Sequence, residues 1–318
     1  MLAYALVAKL VLLVFSTNEA ASIIWPSSGI ALAALLLGGK KYLVSVALGV
    51  FLGALWTGNT LPVAAAMTVG GTLEAAIAAA CLSRLRIDIN LGNPRDYGWL
   101  VVVAALASLV SAVCGAMAYW FSGSVAVANL SGFAMIWWQG DVLGMILVTP
   151  LLLIWRKWPT DWLKKDRILE TVAFFALAFV VGQIIFLGWF ADIFGEYVRF
   201  YWVFLFVAWA SVRFGRHGVI LLVMLISMQC LSGVLSNLDL FDTQNVRVQL
   251  QNFWFFTLVL AGIGLTLALV IYQRQRDQDF LLRMKENAER ALYKLDESER
   301  RHRLLFEYAK DALMTMEP

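Results

Sequence analysis

Apolar windows fall at about 2–17, 22–38, 42–57, 61–83, 97–121, 131–155, 168–190, 198–212, 218–236 and 250–272, and the basic residues between them alternate. Loops after even-numbered windows carry Lys40 and Lys41, then Arg84, Arg86 and Arg95, then Arg156, Lys157, Lys164, Lys165 and Arg167, then Arg213 and Arg216. The segment after the tenth window carries Arg274, Arg276, Arg283 and Lys285, whereas loops after odd-numbered windows hold only Arg199 and Arg247. Lys and Arg collect on the cytoplasmic side of spanning helices. One miscounted span would invert every later loop, so the pattern predicts ten spans with both termini cytoplasmic.

Composition points the same way. The chain is 61% hydrophobic and 15% charged, against about a quarter charged for a soluble domain. With lipid as solvent, a helix satisfies its own backbone groups. The expected fold class is an all-α membrane protein, a bundle of about ten transmembrane helices with a cytoplasmic C-terminal signalling helix. Cys81, Cys114 and Cys230 lie within apolar runs and read as small buried side chains. His217 and His302 lie outside those runs, which argues against haem or copper held inside the membrane. No cofactor, metal or nucleic acid is expected. The first window has no basic n-region and contains Lys9, so it reads as a retained helix rather than a cleaved signal peptide.

The second window, "SIIWPSSGIALAALLLGGKK", is broken early by Pro26. A helix from Pro26 to Leu37 rises about 18 Å at about 1.5 Å per residue, short of a bilayer core of about 30 Å. Either the helix kinks at the proline, or Ser22 to Trp25 descends as irregular backbone, which is tolerated at membrane depth only where protein or a wet cavity covers it. In the second case Ser27, Ser28 and the free amides of the helix start are placed to meet an anionic or hydroxyl group. The plainer reading is a proline that starts a short helix at the interface, with Trp25 as a belt residue.

Lys9, Glu74 and Asp141 fall at about one depth in windows one, four and six, and Glu19 lies near the outer end of the first. Each such charge costs about 2.5–3.5 kcal/mol to insert. They form a buried ion-pair cluster that locates the three helices, or a ligand or proton site, or they do not meet. One lysine cannot balance two carboxylates, so the cluster keeps a negative charge in excess. Asp141 shares a helical face with Trp137, Trp138 and Gly144 through three- and four-residue spacing, with Gln139 and Gly140 beside it. An aromatic wall with a carboxylate and bared backbone suits a small cationic or hydroxylated ligand; aromatic packing in a bundle core is the alternative. Glycine stripes at Gly49 and Gly53, Gly70 and Gly71, and Gly140 and Gly144 suit close helix packing or a subunit interface.

After Ile271 the character turns polar. Leu281, Met284, Ala288, Ala291 and Leu295 step by three and four, as in a short coiled-coil seam or a lone amphipathic helix.

In order and spacing, "WPSSGIALAALLLGG", "TLEAAIAAACL", "IWWQGDVLGMILVTPLLL" and "AWASVRFGRHG" resemble the first type of bacterial membrane-associated sensor (MASE) domain. That resemblance implies the inner-membrane input region of a sensor histidine kinase or diguanylate cyclase. It maps the family's recurring residues onto Trp25, Pro26, Gly29, Glu74, Trp137, Asp141, Gly144, Pro150, Arg213 and Gly215. The final stretch, "ESERRHRLLFEYAKDALMTMEP", resembles the opening of a PAS domain: a lead-in helix, a turn and the start of a strand. The expected divisions are a sensor bundle at 1–272, a signalling helix at 273–298 and a truncated PAS start at 299–318. The sequence holds no nucleotide-binding loop, kinase His-box or GG(D/E)EF-like stretch, so the chain itself is expected to sense rather than catalyse.

The expected partners are the lipid bilayer, a second copy in a homodimer, PAS and output domains in the same chain, and a small-molecule ligand. The expected ligand or signalling residues are Lys9, Trp25, Pro26, Ser28, Glu74, Trp137, Trp138 and Asp141; Leu281, Met284, Ala288, Ala291 and Leu295 are the expected relay. The broken helix and midplane charges also suit a transporter-like carrier, but a carrier needs no coiled lead into PAS.

Overall fold

Peptide groups in hydrocarbon have no water to bond, and each apolar window answers with one helix. The computed structural model describes residues 1–15, 22–159, 162, 164–194, 200–236, 238, 240–241, 243 and 245–314; Glu19 lies outside them. The helices are α1 (Leu2–Phe15), α2 (Pro26–Gly38), α3 (Leu43–Trp56), α4 (Leu61–Arg84), α5 (Pro94–Phe121), α6 (Leu130–Trp155), α7 (Ile168–Leu187), α8 (Ala191–Phe194), α9 (Trp202–Arg213), α10 (Gly215–Leu235) and α11 (Val246–Met314). No strand occurs among the described residues. α4, α5, α6, α7, α10 and α11 are long and apolar enough to cross a membrane by length and composition, while α1, α2 and α9 are shorter apolar helices. The one-turn α8 falls outside every apolar-window expectation. Proline opens the first turn of α2, α4 and α5, where a missing N–H costs no helical bond.

α6 is the hub. Its spanning window is 72% buried against 17% for α7, and it packs on α2, α5 and α10. α4 lies against α3, α5 and α2, α1 against α3 and α2, and α10 against α7 and α9. The membrane part of α11 reaches α6 through Trp254, whose indole N–H donates to the Gln139 carbonyl at 3.0 Å. Glycines of the stripes serve packing within the chain: Gly53 receives Tyr4 and Ala8 of α1, and Gly71 receives Val50; outside the stripes, Gly115 receives the Trp137 ring.

Basic residues tie down the ends of these helices. Arg216 donates to the carbonyls of Asn90 and Leu91 in the α4–α5 loop, and Arg156 donates to Asn90 Oδ1 at 2.9 Å. Partial burial opposes ionisation of Asp88 in that loop. Hydrogen bonds from Asn90 and Gly92, with the Arg216 charge, outweigh it and hold the carboxyl below its usual range. Arg213 grips Glu170 through two bonds of 2.6 and 2.7 Å.

Two compact units emerge, Met1–Ile271 and Tyr272–Pro318. In the second the chain is helical through Met314. The turn and strand expected of a PAS opening do not occur among the described residues, and 315–318 lie outside them. Ion pairs from Asp296 to Arg300, Glu297 to Arg301 and Glu299 to Arg303 support the helix over that stretch, since opposite charges four residues apart favour it. Leu281, Met284, Ala288, Ala291 and Leu295 are all exposed, so within a single chain they cover nothing.

Candidate functional site

Pro26 is the first residue of α2, so the chain arrives as irregular backbone from Ser22 to Trp25. That stretch lies on α6. The Trp25 N–H donates to the Gly140 carbonyl at 2.9 Å. A Cβ on Gly140 would collide with the Ser22 carbonyl, and one on Gly144 with the Trp25 carbonyl. Gly29 of α2 meets the Gly144 backbone in turn, and Thr149 donates to the Gly29 carbonyl at 3.2 Å. Protein therefore covers the break, as hydrocarbon requires. The backbone that Gly140 was expected to bare to a ligand is occupied by this segment.

The arrangement aims the α2 N-terminus, the positive end of its dipole, at an acid. Ser28 Oγ donates to Asp141 Oδ1 at 2.7 Å, and Ser27 Oγ donates to the Tyr4 carbonyl at 3.1 Å. Trp25 points its indole N–H at the Tyr4 hydroxyl, 3.5 Å away. Glu74 of α4 lies within electrostatic reach of Asp141 and is ringed by the hydroxyls of Ser28, Ser108 and Ser111. Trp137 donates to Ser111 Oγ at 3.2 Å. Thus α1, α2, α4, α5 and α6 each contribute to one polar cluster. Both acids are 1% exposed, and neither forms an ion pair among the described residues. Asp141 Oδ2, Glu74 Oε1 and Ser108 Oγ are buried with no hydrogen-bond partner.

Two expectations need correction. Lys9 does not join the acids: its Nζ donates to the Trp56 carbonyl at 3.2 Å and lies 5.4 Å from the centre of the Trp56 ring. That carbonyl closes α3, at the negative end of its dipole, and a long flexible amine reaches such an end readily. Trp138 does not share the polar cluster either. Its N–H donates to the Ala105 carbonyl at 2.8 Å, and its ring lies 5.5 Å from that of Trp254. Adjacent residues point about 100° apart around a helix, so Trp137 and Trp138 serve different neighbours.

Tyr4, Ser108 and Ser111 were not foreseen. The two serines do carry a signal, being three apart on one face of an otherwise apolar helix; Tyr4 carries none. No group of three or more His, Cys, Asp or Glu suited to a metal ion occurs among the described residues.

No curated protein and no solved structure matches the chain. The MASE1 family model matches residues 1–276, spanning the bundle and every residue of the polar cluster. MASE1 is a membrane sensory, non-catalytic domain of signalling proteins. The chain belongs to the MASE1 family.

Proposed function

We propose that residues 1–272 are the input bundle of a bacterial inner-membrane signalling protein, that its stimulus acts at the Glu74–Asp141 cluster, and that α11 carries the result to a kinase or cyclase output. The observation that carries this reading is the pair of fully buried carboxylates, brought together from separate helices without a cationic partner among the described residues. A structural role would favour an internal ion pair, because an unpaired buried charge is costly; Lys9, the lysine of the first window, is engaged elsewhere. The route outward is short. α6 carries Asp141 and also Gln139, whose carbonyl takes the Trp254 N–H of α11. A helix that touches both the stimulus site and the exit helix is the element whose position both must bias.

In the full-length protein, Asp141→Asn and Glu74→Gln should each leave membrane insertion intact and shift signalling output. Coupling free energies of about 1–3 kcal/mol correspond to changes of about 5–150-fold, and a shift in that range is expected. Wild-type output from both variants would remove the cluster from the signalling path.

The reading includes both termini in the cytoplasm, residues 273–298 as a signalling helix and 299–318 as the lead into PAS and output domains. In a background lacking Cys81, Cys114 and Cys230, single cysteines at 59 and 124 should react with an impermeant thiol reagent in intact cells, and one at 157 should not. Asp239, expected outside with them, lies beyond the described residues. Reaction at 157 would reverse the orientation.

A further inference from the structure

We propose that the corner where the α4–α5 loop meets the end of α6 is a binding site for the phosphate of an anionic phospholipid. The proposal is independent of the Glu74–Asp141 reading and starts from a charge imbalance. Arg86, Arg95, Arg156 and Lys157 are exposed here, and none has a carboxylate partner among the described residues. The two acids of this region are already engaged. Asp88 Oδ1 accepts from the Asn90 main-chain N–H and from its side-chain amide, both at 2.9 Å, and lies within reach of the Arg216 charge. Asp96 is 8% exposed and takes the Asn93 amide at 3.5 Å.

The corner is also braced. Asn90 joins its two sides: its side-chain oxygen accepts from Arg156 at 2.9 Å, and its carbonyl accepts from Arg216. Arg216 reaches the Leu91 carbonyl as well, at 3.3 Å, and is buried, so its charge is taken up inside the joint. The His217 Nε2–H is shared between the carbonyls of Ile154 and Lys157, at 3.1 and 2.8 Å, and fixes the chain where α6 ends. Arg86 stands four residues before Asn90 and Arg95 five after it. Arg86 and Leu91 hold φ of +53° and +49°, the left-handed region that a Cβ disfavours. Leu91 is 0% exposed, and its burial supports that conformation. Arg86 is exposed and has no such support; strained backbone of this kind collects at ligand clamps.

Two features select the ligand. Three of the four exposed cations are arginines, whose planar fork matches phosphate oxygens in pairs. Next to Arg156 and Lys157, Trp158 is 60% exposed, its ring 5.1 Å from that of Trp155 in an edge-to-face contact. An exposed indole beside basic residues belongs at the headgroup level of a bilayer, where one side of the ring meets acyl chain and the other meets water. A soluble phosphate compound would use the arginines and leave that ring in water; a phospholipid uses both. Basic pockets between helices on the cytoplasmic side suit such headgroups.

The test titrates the whole chain, purified in an uncharged detergent at fixed ionic strength, with phosphatidylglycerol, phosphatidylcholine or inorganic phosphate, and follows thermal unfolding. Phosphatidylglycerol should raise the melting temperature saturably, and the other two should not at the same concentration. Arg86→Gln combined with Arg156→Gln should raise the half-saturating concentration about thirtyfold, each basic residue near an anionic surface being worth about fivefold. Arg156 also braces Asn90, so Arg86→Gln alone, expected at about fivefold, decides the matter if the double variant fails to fold. Trp158→Ala should weaken the response to the lipid. Lys40→Gln combined with Lys41→Gln removes the same charge from another exposed basic turn and should leave the titration unchanged. Equal loss in the two double variants would reduce the effect to general surface charge and overturn the site. So would the lack of a saturable response to phosphatidylglycerol, or one unaltered by Arg86→Gln. A response to inorganic phosphate equal to that of the lipid would overturn the phospholipid as ligand.

Discussion

Replacing Gly144 with leucine should abolish the folded protein. A Cβ at this position would lie on the Trp25 carbonyl and against the Pro26 nitrogen, and Gly29, one turn further along α2, meets the Gly144 carbonyl. These neighbours are main chain, so none can rotate aside. Overpacked cores lose about 1–3 kcal/mol and occasionally more. With rigid backbone facing it, leucine should exceed that range and consume most of a stability of about 5–15 kcal/mol. Gly144→Ala is the graded version. It should fold with a lower melting temperature and lengthen the Ser28–Asp141 bond by pushing the α2 N-terminus off α6. Gly262→Ala is the control, since a Cβ there meets nothing within 4 Å and alanine is the better helix former by about 1 kcal/mol. Thermal unfolding of the three purified variants in detergent measures the contrast. Equal melting temperatures for Gly144→Ala and Gly262→Ala would mean that α2 and α6 do not meet backbone to backbone.

The second large effect concerns α11. No proline or glycine follows Gly264 until Pro318, and the helix runs unbroken from Val246 to Met314. One residue inserted near Arg276 turns everything after it by about 100° relative to what precedes it. Seven residues bring the seam of Leu281, Met284, Ala288, Ala291 and Leu295 back close to its original azimuth. In the full-length protein, the single insertion should uncouple output from stimulus, and the seven-residue insertion should largely restore coupling. A parallel homodimer through this seam predicts that a cysteine at 284 or 295 cross-links to its copy under mild oxidation. Output indifferent to insertion length would rule out a rigid helical relay.

Much of this fold was legible because hydropathy reports depth, and depth is what a bilayer selects. The window 61–83 becomes Leu61–Arg84 and the window 131–155 becomes Leu130–Trp155. Pro26 also announced the broken entry, since its missing N–H and fixed φ act locally. Azimuth was harder. Lys9, Glu74 and Asp141 share a depth, but depth does not say which way a side chain faces, and Lys9 turned to the end of α3. Three- and four-residue spacing misled in the same way, placing both Trp137 and Trp138 beside Asp141 when Trp138 turns to Ala105. Tyr4 was invisible because a tyrosine near a helix start is ordinary; only the fold of α1 against α2 brings it to Trp25. The chain is helical through Met314, with charge pairs four apart supporting its stretch from Asp296 to Arg303.

Where Ser22–Trp25 lies on Gly140 and Gly144, peptide meets peptide with no side chain between them. Most helix contacts have lash: a leucine changes rotamer, a methionine bends, and a small movement on one side is lost before it reaches the other. A joint of carbonyls seated on glycine has none of that give. Displacements of a few tenths of an ångström at the head of α2, too small to re-sort any rotamer, must be passed to α6 in full or resisted in full. Such a joint works as a stop rather than a spring, so the head of α2 and the middle of α6 shift together or not at all.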